Sequence, residues 1–492
     1  MKKDFDWTEE QEAIFSPCQW GNTLISACAG SGKSTALVER CIHHVLRPEM
    51  QKWQSIALIS YTHKSVADLR VKVEQKFSQK TMSEIRANDG RILISTFHGF
   101  LITHVLTFHE AFRRQKITFD YYHKVGSKED WLKYVLQSKT IAGTKSTHST
   151  HQDFLMETAL EVIRQNGACQ KYLQAKFHGV YIDEAQDNNK IQYDIVAELM
   201  EKLGIECVLV GDPRQTIYQF RGASPEVFEA KSQSNDFIQL RLTKNHRCHE
   251  RINKWANQSD WPEENDRENI ERIPETENTR AKQHGIFLWT EQRIKDKLIE
   301  SKAVKKEEGL AFLVHKNNAV KGLQERFPEI KIMTKPDLLD KVSDPNLLSA
   351  LYQLALPACD FNEFHFKNEL SEEQIPKNPN NQRPRMNEFL KKLKVFRDSK
   401  ALCDLEALNT FLPILKEGEL QGFLESLTQK DIVNYFTCNP EKDIVAMTIH
   451  SSKGLEFNNV VIYKNDFNED EERKRLRYVA FTRARKRLFI VP

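Results

Sequence analysis

Apolar residues recur along this chain in two rhythms. Short apolar runs at residues 23–27, 56–60 and 92–95 are bounded like strands buried on both faces. Between the first two, Leu37, Val38, Cys41, Ile42, Val45 and Leu46 recur at helical spacing. Strand and helix patterns alternating over residues 1–100 predict an α/β fold with a parallel sheet. From Leu101 to about Lys176 the pattern turns mainly helical, interrupted by a polar loop at residues 143–150. Sheet-like runs resume at 180–182 and 207–210. Residues 261–280 are polar and carry Pro262 and Pro274, as a surface connection does. A second α/β set follows, with runs at 286–289, 310–314, 331–333, 444–447 and 460–463. It is split by a helical stretch over 346–439 that holds a Pro/Asn-rich loop at 375–381. The expected organisation is one α/β domain from 1–100 and 175–265 with an insertion at 101–174. A second domain comes from 280–345 and 440–492, with a smaller insertion at 346–439. No internal repeat or long low-complexity segment is visible.

At 492 residues, 40% hydrophobic and 29% charged, the chain has the make-up of a soluble protein of about three or four domains. No stretch approaches the ~18 uninterrupted apolar residues of a membrane span. The first residues, Met1-Lys2-Lys3-Asp4-Phe5-Asp6-Trp7, lack the apolar core of a signal peptide, so a cytoplasmic protein with no membrane partner is expected. The nine cysteines are scattered and form no CxxC pair, which argues against a disulfide framework or a zinc site; most are expected to be small buried residues. A net charge of only +3 leaves any nucleic-acid site to local arrangement.

The candidate chemistry begins at Ala27-Cys28-Ala29-Gly30-Ser31-Gly32-Lys33-Ser34-Thr35, which follows the first strand and opens the helix. Strand, glycine turn, Gly-Lys-Ser and helix in this order make a phosphate-binding loop. Glycines let backbone N–H groups surround phosphate oxygens, and the helix N-terminus adds the positive end of its dipole. Lys33 is expected to reach the β- and γ-phosphates of ATP and Ser34 to meet Mg²⁺. Ala27 stands where the first glycine of the strict pattern usually does.

Val180-Tyr181-Ile182-Asp183-Glu184-Ala185-Gln186-Asp187 puts carboxylates at the C-terminal end of an apolar strand, where open α/β sheets bind ligands. Asp183 suits a Mg²⁺ position, and Glu184 could orient and polarise an attacking water. Taken alone, the same acidic residues would equally suit a helix start.

Four further blocks resemble the UvrD/Rep/PcrA-like superfamily 1A DNA helicases. Asp183-Glu184-Ala185-Gln186-Asp187 matches that family's second motif. Val210-Gly211-Asp212-Pro213-Arg214-Gln215-Thr216-Ile217-Tyr218-Gln219-Phe220-Arg221-Gly222-Ala223 matches the third. Thr448-Ile449-His450-Ser451-Ser452-Lys453-Gly454-Leu455-Glu456-Phe457 and Arg477-Tyr478-Val479-Ala480-Phe481-Thr482-Arg483-Ala484 match the fifth and sixth. The resemblance implies two RecA-like P-loop NTPase domains with a nucleotide between them. It further implies that Gln11, in Trp7-Thr8-Glu9-Glu10-Gln11, reads adenine. Gln215 would sense the γ-phosphate, Arg247 and Arg483 would reach it from across the cleft, and Glu456, beside Gly454, would hold the ribose. His246 stands where the family usually stacks a tyrosine on the nucleotide, which puts strict selection of adenine in doubt.

The resemblance also implies a single-stranded DNA face. Ser60-Tyr61-Thr62-His63-Lys64 and Thr96-Phe97-His98-Gly99 resemble two strand-binding motifs, and Phe220 takes the place of an aromatic that stacks on a base. Tyr61, Thr62, Lys64, Thr96, His98, Phe220, Arg221 and His450 are the expected DNA residues, with Arg70 a further candidate for a phosphate. Phe97 reads better as core. Of the basic C-terminal region, Arg483 is catalytic by motif, and the remainder around Lys474–Arg477 and Arg485–Arg487 reads as a solvated helix face.

Family members of this kind carry larger insertions. The compact form resembles the UvrD-like GajB family of the Gabija anti-phage system, with no nuclease domain expected after Pro492. That resemblance implies an OLD-family nuclease partner, GajA, in a hetero-oligomer. Three activities stay open: a 3′-to-5′ translocating helicase, a DNA-end-sensing regulatory ATPase without processive unwinding, and a stand-alone repair helicase.

Overall fold

The computed structural model describes residues 6–77, 91–113, 118–144, 153–258, 261, 284–300, 308–333, 348, 351–352, 355–356, 388, 391–411, 417–439, 441–467 and 470–492. The loop at 145–150, the connection at 262–280, the Pro/Asn-rich loop at 375–381 and much of the 346–439 insertion lie outside the described residues.

Two six-stranded sheets organise the chain. The first is built from β1 (Thr23–Ala27), β2 (Ser55–Ser60), β3 (Ile92–Thr96), β6 (Phe177–Ile182), β7 (Glu206–Gly211) and β8 (Ile238–Leu242), in the order β3-β2-β6-β7-β1-β8. The second is built from β9 (Gly285–Leu288), β10 (Leu310–Val314), β11 (Lys331–Ile332), β12 (Ile444–Thr448), β13 (Phe457–Tyr463) and β14 (Ala484–Val491), in the order β11-β12-β10-β13-β14-β9. Every pairing in both is parallel. This is the expected α/β fold of two RecA-like units.

Side chains alternate between the faces, so each strand feeds two cores. In the first sheet Leu24, Ala57, Ile59, Val180, Ile182 and Leu209 face one core. Ile25, Ile56, Leu58, Tyr181, Val208 and Val210 face the other, under helices α1 (Glu9–Phe15), α2 (Lys33–Val45) and α3 (His63–Phe77). The second sheet repeats this, with Leu313, Met447, Val460 and Leu488 on one side and Phe312, Ala446, Val461 and Phe489 on the other. Ala29 and Ile217 from the first lobe join the former core, so the lobes share an apolar seam.

The insertion at 101–174 shares the first core through Phe112, Trp131, Val135 and Ile141. It is not purely helical. Strands β4 (Thr118–Val125) and β5 (Thr140–Thr144) pair in parallel, and the Trp131 indole N–H donates to the Ala142 carbonyl at 2.9 Å. Neither strand has a continuous apolar run, so the periodicity gave no sign of them.

Three further expectations need correction. Ile252, Trp255 and Ala256 of the Glu250–Ala256 helix bury themselves in the second sheet's core, so we place the lobe boundary near His249 rather than at 265. Of the eight described cysteines only Cys41, Cys169 and Cys207 are buried; Cys28, Cys248 and Cys438 are half-buried and Cys18 and Cys403 exposed. The basic stretch Arg485–Arg487 is not on a solvated helix: it lies on β14, an interior strand between β13 and β9. Arg487 is buried, donating to Asn459 Oδ1 at 2.6 Å and pairing with Glu308. Arg477 is buried as well, its guanidinium 5.3 Å from the centre of the Trp261 ring.

Asn459 is fully buried and fastens β13 to its neighbours. Its amide donates to the Gly309 carbonyl at 2.7 Å and the Glu308 carbonyl at 3.2 Å, while its oxygen accepts from Arg487. Asn459→Leu leaves these groups without partners and is expected to cost about 3 kcal/mol. A lowered urea midpoint checks this; an unchanged midpoint contradicts it.

A candidate nucleotide cleft and strand-binding face

The turn between β1 and α2 is shaped by two glycines in the left-handed region, Gly30 at φ +70° and Gly32 at φ +78°. A Cβ on Gly30 would lie 2.5 Å from Arg247 Cβ, and one on Gly32 would lie 2.7 Å from Gln11 Nε2. The backbone can therefore approach its neighbours only without side chains here. α2 begins at Lys33, with Gly32 as its N-cap and no side-chain cap; the Thr35 and Ala36 N–H groups donate to the Gly32 carbonyl at 3.0 Å.

The carboxylates arrive from the end of β6. Lys33 Nζ lies 2.6 Å from Glu184 Oε2, and Ser34 Oγ donates to Asp183 Oδ2 at 2.9 Å. Glu184 adopts φ +56° with a side chain, a strained backbone held by the Gln186 amide, which donates to Glu184 Oε2 at 2.7 Å. Burial pushes the Glu184 carboxyl up, but Lys33 and Lys453 outweigh it and hold it at about 2. Burial and the neighbouring Glu184 raise Asp183 instead, with Lys33 opposing. Glu184 is thus ionised across the physiological range. A hydroxyl and a carboxylate converging beside a phosphate loop are the hard oxygen donors that Mg²⁺ takes, so the residues present fit that ion.

The second lobe closes a cleft of about 380 Å³. Gly30, Ser31, Gly32, Lys33, Ser34, Thr35, Asp183, Glu184 and Gln215 line one side; Arg247 and His246 stand beside Lys453, Gly454, Glu456 and Arg483 on the other. The His246 main-chain N–H donates to the Gly30 carbonyl at 2.9 Å, which ties this segment to the loop. Arg247 pairs with Glu456 at 2.6 Å, and Glu456 also accepts from Arg485 Nε at 3.0 Å. Burial raises the Glu456 carboxyl, and these two arginines more than reverse it. Arg483 is buried, with Nε donating to the Val479 carbonyl and Nη1 to the Leu455 carbonyl, both at 3.1 Å. Burial and the adjacent Arg247 pull its pKa down to about 10.

Gln11 is the outlier of the expected nucleotide set. It is buried at the start of α1, where its oxygen accepts from the Thr8 N–H at 3.1 Å and its amide donates to the Ser31 carbonyl at 3.0 Å. It abuts the phosphate loop without lining the cleft. Ala29 is also buried, its N–H donating to the Tyr478 hydroxyl at 3.1 Å.

A cluster of rings lies across the same seam. Tyr61 stacks on Tyr218 at 5.5 Å and 16°. Phe220, 53% exposed, meets Tyr218 at 6.2 Å and His450 at 5.6 Å. His450 Nε2 lies 3.2 Å from the Ile217 carbonyl. Beside Tyr61 a groove of about 480 Å³ is lined by Thr62, Thr96, Phe97 and His98. Thr62 and Thr96 cap the helices that follow, accepting from the Ser65 and Gly99 N–H groups at 3.1 Å. His98 pairs with Asp153 at 2.9 Å, and Phe97 is buried as core. Arg70 donates to the Ile94 carbonyl at 3.3 Å. The side chains of Lys64 and Arg221 lie outside the described residues.

Comparison with known proteins decides what this arrangement belongs to. The UvrD/REP helicase N-terminal domain matches residues 7–142 and 138–236, and the UvrD-like helicase C-terminal domain matches 354–492. The chain belongs to the UvrD/Rep helicase family. It is 28% identical to the Gabija protein GajB of Bacillus cereus (strain VD045), over 96% of this chain and 93% of that protein. It is 22% identical to the ATP-dependent DNA helicase PcrA of Bacillus subtilis (strain 168), over 98% of this chain and 82% of that one. It is 23% identical, with the same coverage, to PcrA of Staphylococcus aureus (strain NCTC 8325 / PS 47).

This UvrD-like chain is accordingly an ATP-dependent DNA helicase that uses ATP with Mg²⁺. Among the described residues no helix is long and apolar enough to cross a membrane. The structure adds contacts beside the cleft that the sequence reading passed over. Tyr478 Oη donates to Asp212 Oδ2 at 3.0 Å, the same oxygen that accepts from Gln215 Nε2 at 3.0 Å. Lys453 reaches Asp187 Oδ2 at 2.5 Å and the Gln215 carbonyl at 3.0 Å. Asp187 is pushed up to about 6 by its burial, against the pull of Lys453. Tyr218 and Lys453 lay within the quoted motifs; their partners across the seam were the missing signal.

Lys33→Ala and Glu184→Ala are each expected to lower DNA-stimulated ATP turnover by about 100-fold or more, read as phosphate release. Wild-type turnover in either variant would sink the assignment. Gly30→Ala strains a positive φ and meets Arg247, so it is expected to raise the KM for ATP before it lowers stability. A melting temperature that falls while KM holds would show the opposite.

Proposed function

We propose that this helicase moves 3′-to-5′ on single-stranded DNA as the GajB-like subunit of a Gabija anti-phage complex with a GajA-type nuclease. The observation that supports this reading is the span of the alignments. The match to GajB runs over 491 residues, close to the length of this chain, whereas the PcrA alignment extends over 631, so PcrA carries segments this chain lacks.

In this reading ATP lies across the cleft with its phosphates on residues 29–35. Lys33 neutralises phosphate charge, and Ser34 and Asp183 would hold Mg²⁺, which when bound polarises the phosphoryl oxygens. Glu184, ionised, orients the attacking water and can accept its proton. Arg483 meets phosphoryl charge from the second lobe and Arg247 from the junction of the lobes, for which both must exchange their present partners, the backbone carbonyls and Glu456. Freed of Arg247, Glu456 can hold the ribose. ATP bridges the lobes and favours closure, and loss of the γ-phosphate weakens that preference. The strand lies along Tyr61, Thr62, Thr96, His98, Phe220 and His450, with Lys64 and Arg221 at its phosphates. Stacking grips bases without reading sequence.

The small 346–439 insertion favours a second form of the reading, a DNA-end-sensing ATPase that regulates the nuclease with little unwinding. Strand displacement on 3′-tailed and 5′-tailed duplexes, with and without the co-purified partner, separates the two. Unwinding of 3′-tailed duplex by the chain alone supports the helicase form; DNA-stimulated turnover without displacement supports the regulatory one. Phe220→Ala is expected to weaken single-stranded DNA affinity by about 5- to 150-fold, the ~1–3 kcal/mol of one stacked base. ATP affinity should hold; its loss would mean that Phe220 belongs to the nucleotide.

A further inference from the structure

The groove beside Tyr61 has a lining that neither the nucleotide nor the stacking rings use. Ile59, Phe97, Met156 and Ile182 give it apolar walls. Three carboxamides that follow β6 line it as well, Asn188, Asn189 and Gln192. The oxygens of the last two are committed to the helix Lys190–Ala197. Asn189 Oδ1 accepts from the Gln192 main-chain N–H at 3.0 Å, and Gln192 Oε1 accepts from the Asn189 main-chain N–H at 2.8 Å, a capping box. This leaves their NH2 groups as donors. That of Asn189 meets the Met156 sulfur, a weak acceptor, at 4.0 Å. Asn188 is 3% exposed, and its main-chain carbonyl accepts from the Ser224 N–H at 2.9 Å. Its Nδ2 has no partner among the described residues. An enclosed donor without an acceptor is costly, and few are kept.

The charge of the groove decides what kind of acceptor fits. Among the described residues Asp153, Asp183 and Asp187 line it, and no lysine or arginine does. His98 is already paired with Asp153 at 2.9 Å. A phosphate would meet like charge here; a neutral, flat ring with carbonyl oxygens would not. We propose that the groove takes one nucleobase of the strand edge-on, with Asn188 and its neighbouring amides donating to the carbonyl oxygens of the base. Thymine, cytosine and guanine carry such oxygens and adenine does not. The site thereby adds a preference among bases to a grip that stacking alone leaves blind to sequence. The inference rests on the strand site proposed above. Its plainer alternative is that the amides only brace the chain after β6.

The test uses the full chain and three fluorescein-labelled oligonucleotides of equal length. They are oligo-dT, oligo-dA and the difluorotoluene isostere of oligo-dT, which keeps the ring shape and lacks the carbonyl oxygens. Asn188→Ala is expected to weaken oligo-dT binding by about 3- to 10-fold, the worth of one neutral hydrogen bond. The Kd values for the isostere and for oligo-dA should stay within about 2-fold. The melting temperature should hold or rise, because the donor removed had no partner. Gln192→Glu keeps the capping oxygen and loses the amide donors. It is expected to weaken oligo-dT relative to the isostere by a similar factor, and that ratio cancels the general repulsion its added charge brings. Equal weakening of all three oligonucleotides by Asn188→Ala overturns the proposal. A lowered melting temperature with unchanged oligo-dT affinity overturns it in favour of a brace. Wild-type protein that binds none of the three sinks the strand site itself, and the base pocket with it. Binding of all three that neither substitution changes removes the pocket alone.

Discussion

One buried carboxylate holds the two lobes in register. Asp212 follows the last residue of β7 and is 1% exposed. One of its oxygens accepts from Gln215 and from Tyr478 of the second lobe; the other accepts from the Arg214 side chain at 3.1 Å. Arg214 in turn lies over the Tyr478 ring at 4.5 Å. The Tyr478 hydroxyl takes the N–H of Ala29, in the phosphate loop, so loop, cleft glutamine and second lobe meet at a single acid. A charge buried to this degree is tolerable only when its acceptors are filled, and the filling groups come from both lobes. The lobes cannot part without leaving it unsatisfied or wet.

The same logic runs through the rest of the seam. Arg247 with Glu456 and Lys453 with Asp187 are pairs whose partners lie on opposite lobes. Each is a contact that nucleotide or strand can replace, because the groups concerned are the ones that line the cleft or the ring cluster. Glu184 gains most from the arrangement. Two lysines, one from each lobe, keep it ionised despite its burial.

Much of this was readable along the chain. The strands at 23–27 and 310–314 appear in the structure with those bounds, because a strand buried on both faces leaves an uninterrupted apolar run. Strands whose runs are interrupted by polar residues were not readable. In β8, Ile238, Leu240 and Leu242 alternate with Gln239 and Arg241, and β14 opens with four residues of which three are basic. A basic run reads as solvated until a buried acceptor such as Asn459 is known. β4 and β5 were hidden for the related reason that their partners are each other. At the candidate site, the phosphate loop, Asp183–Glu184 and the arginines were marked by their motifs, and Gly30–Thr35, both carboxylates and both arginines line one cleft, which Gln11 and Ala29 do not.

The sequence by itself determined the local chemistry of this helicase: the glycine turn before Lys33, the carboxylates at the end of β6 and the family to which the chain belongs. These follow from residue type and spacing, which act over a few bonds. Only the tertiary structure decided which groups answer one another. That Lys453 meets Asp187 and that Tyr478 meets both Ala29 and Asp212 are consequences of lobe packing between residues hundreds of positions apart. Side-chain partnership depends on distance in space and on what else is buried nearby, and a linear pattern carries neither.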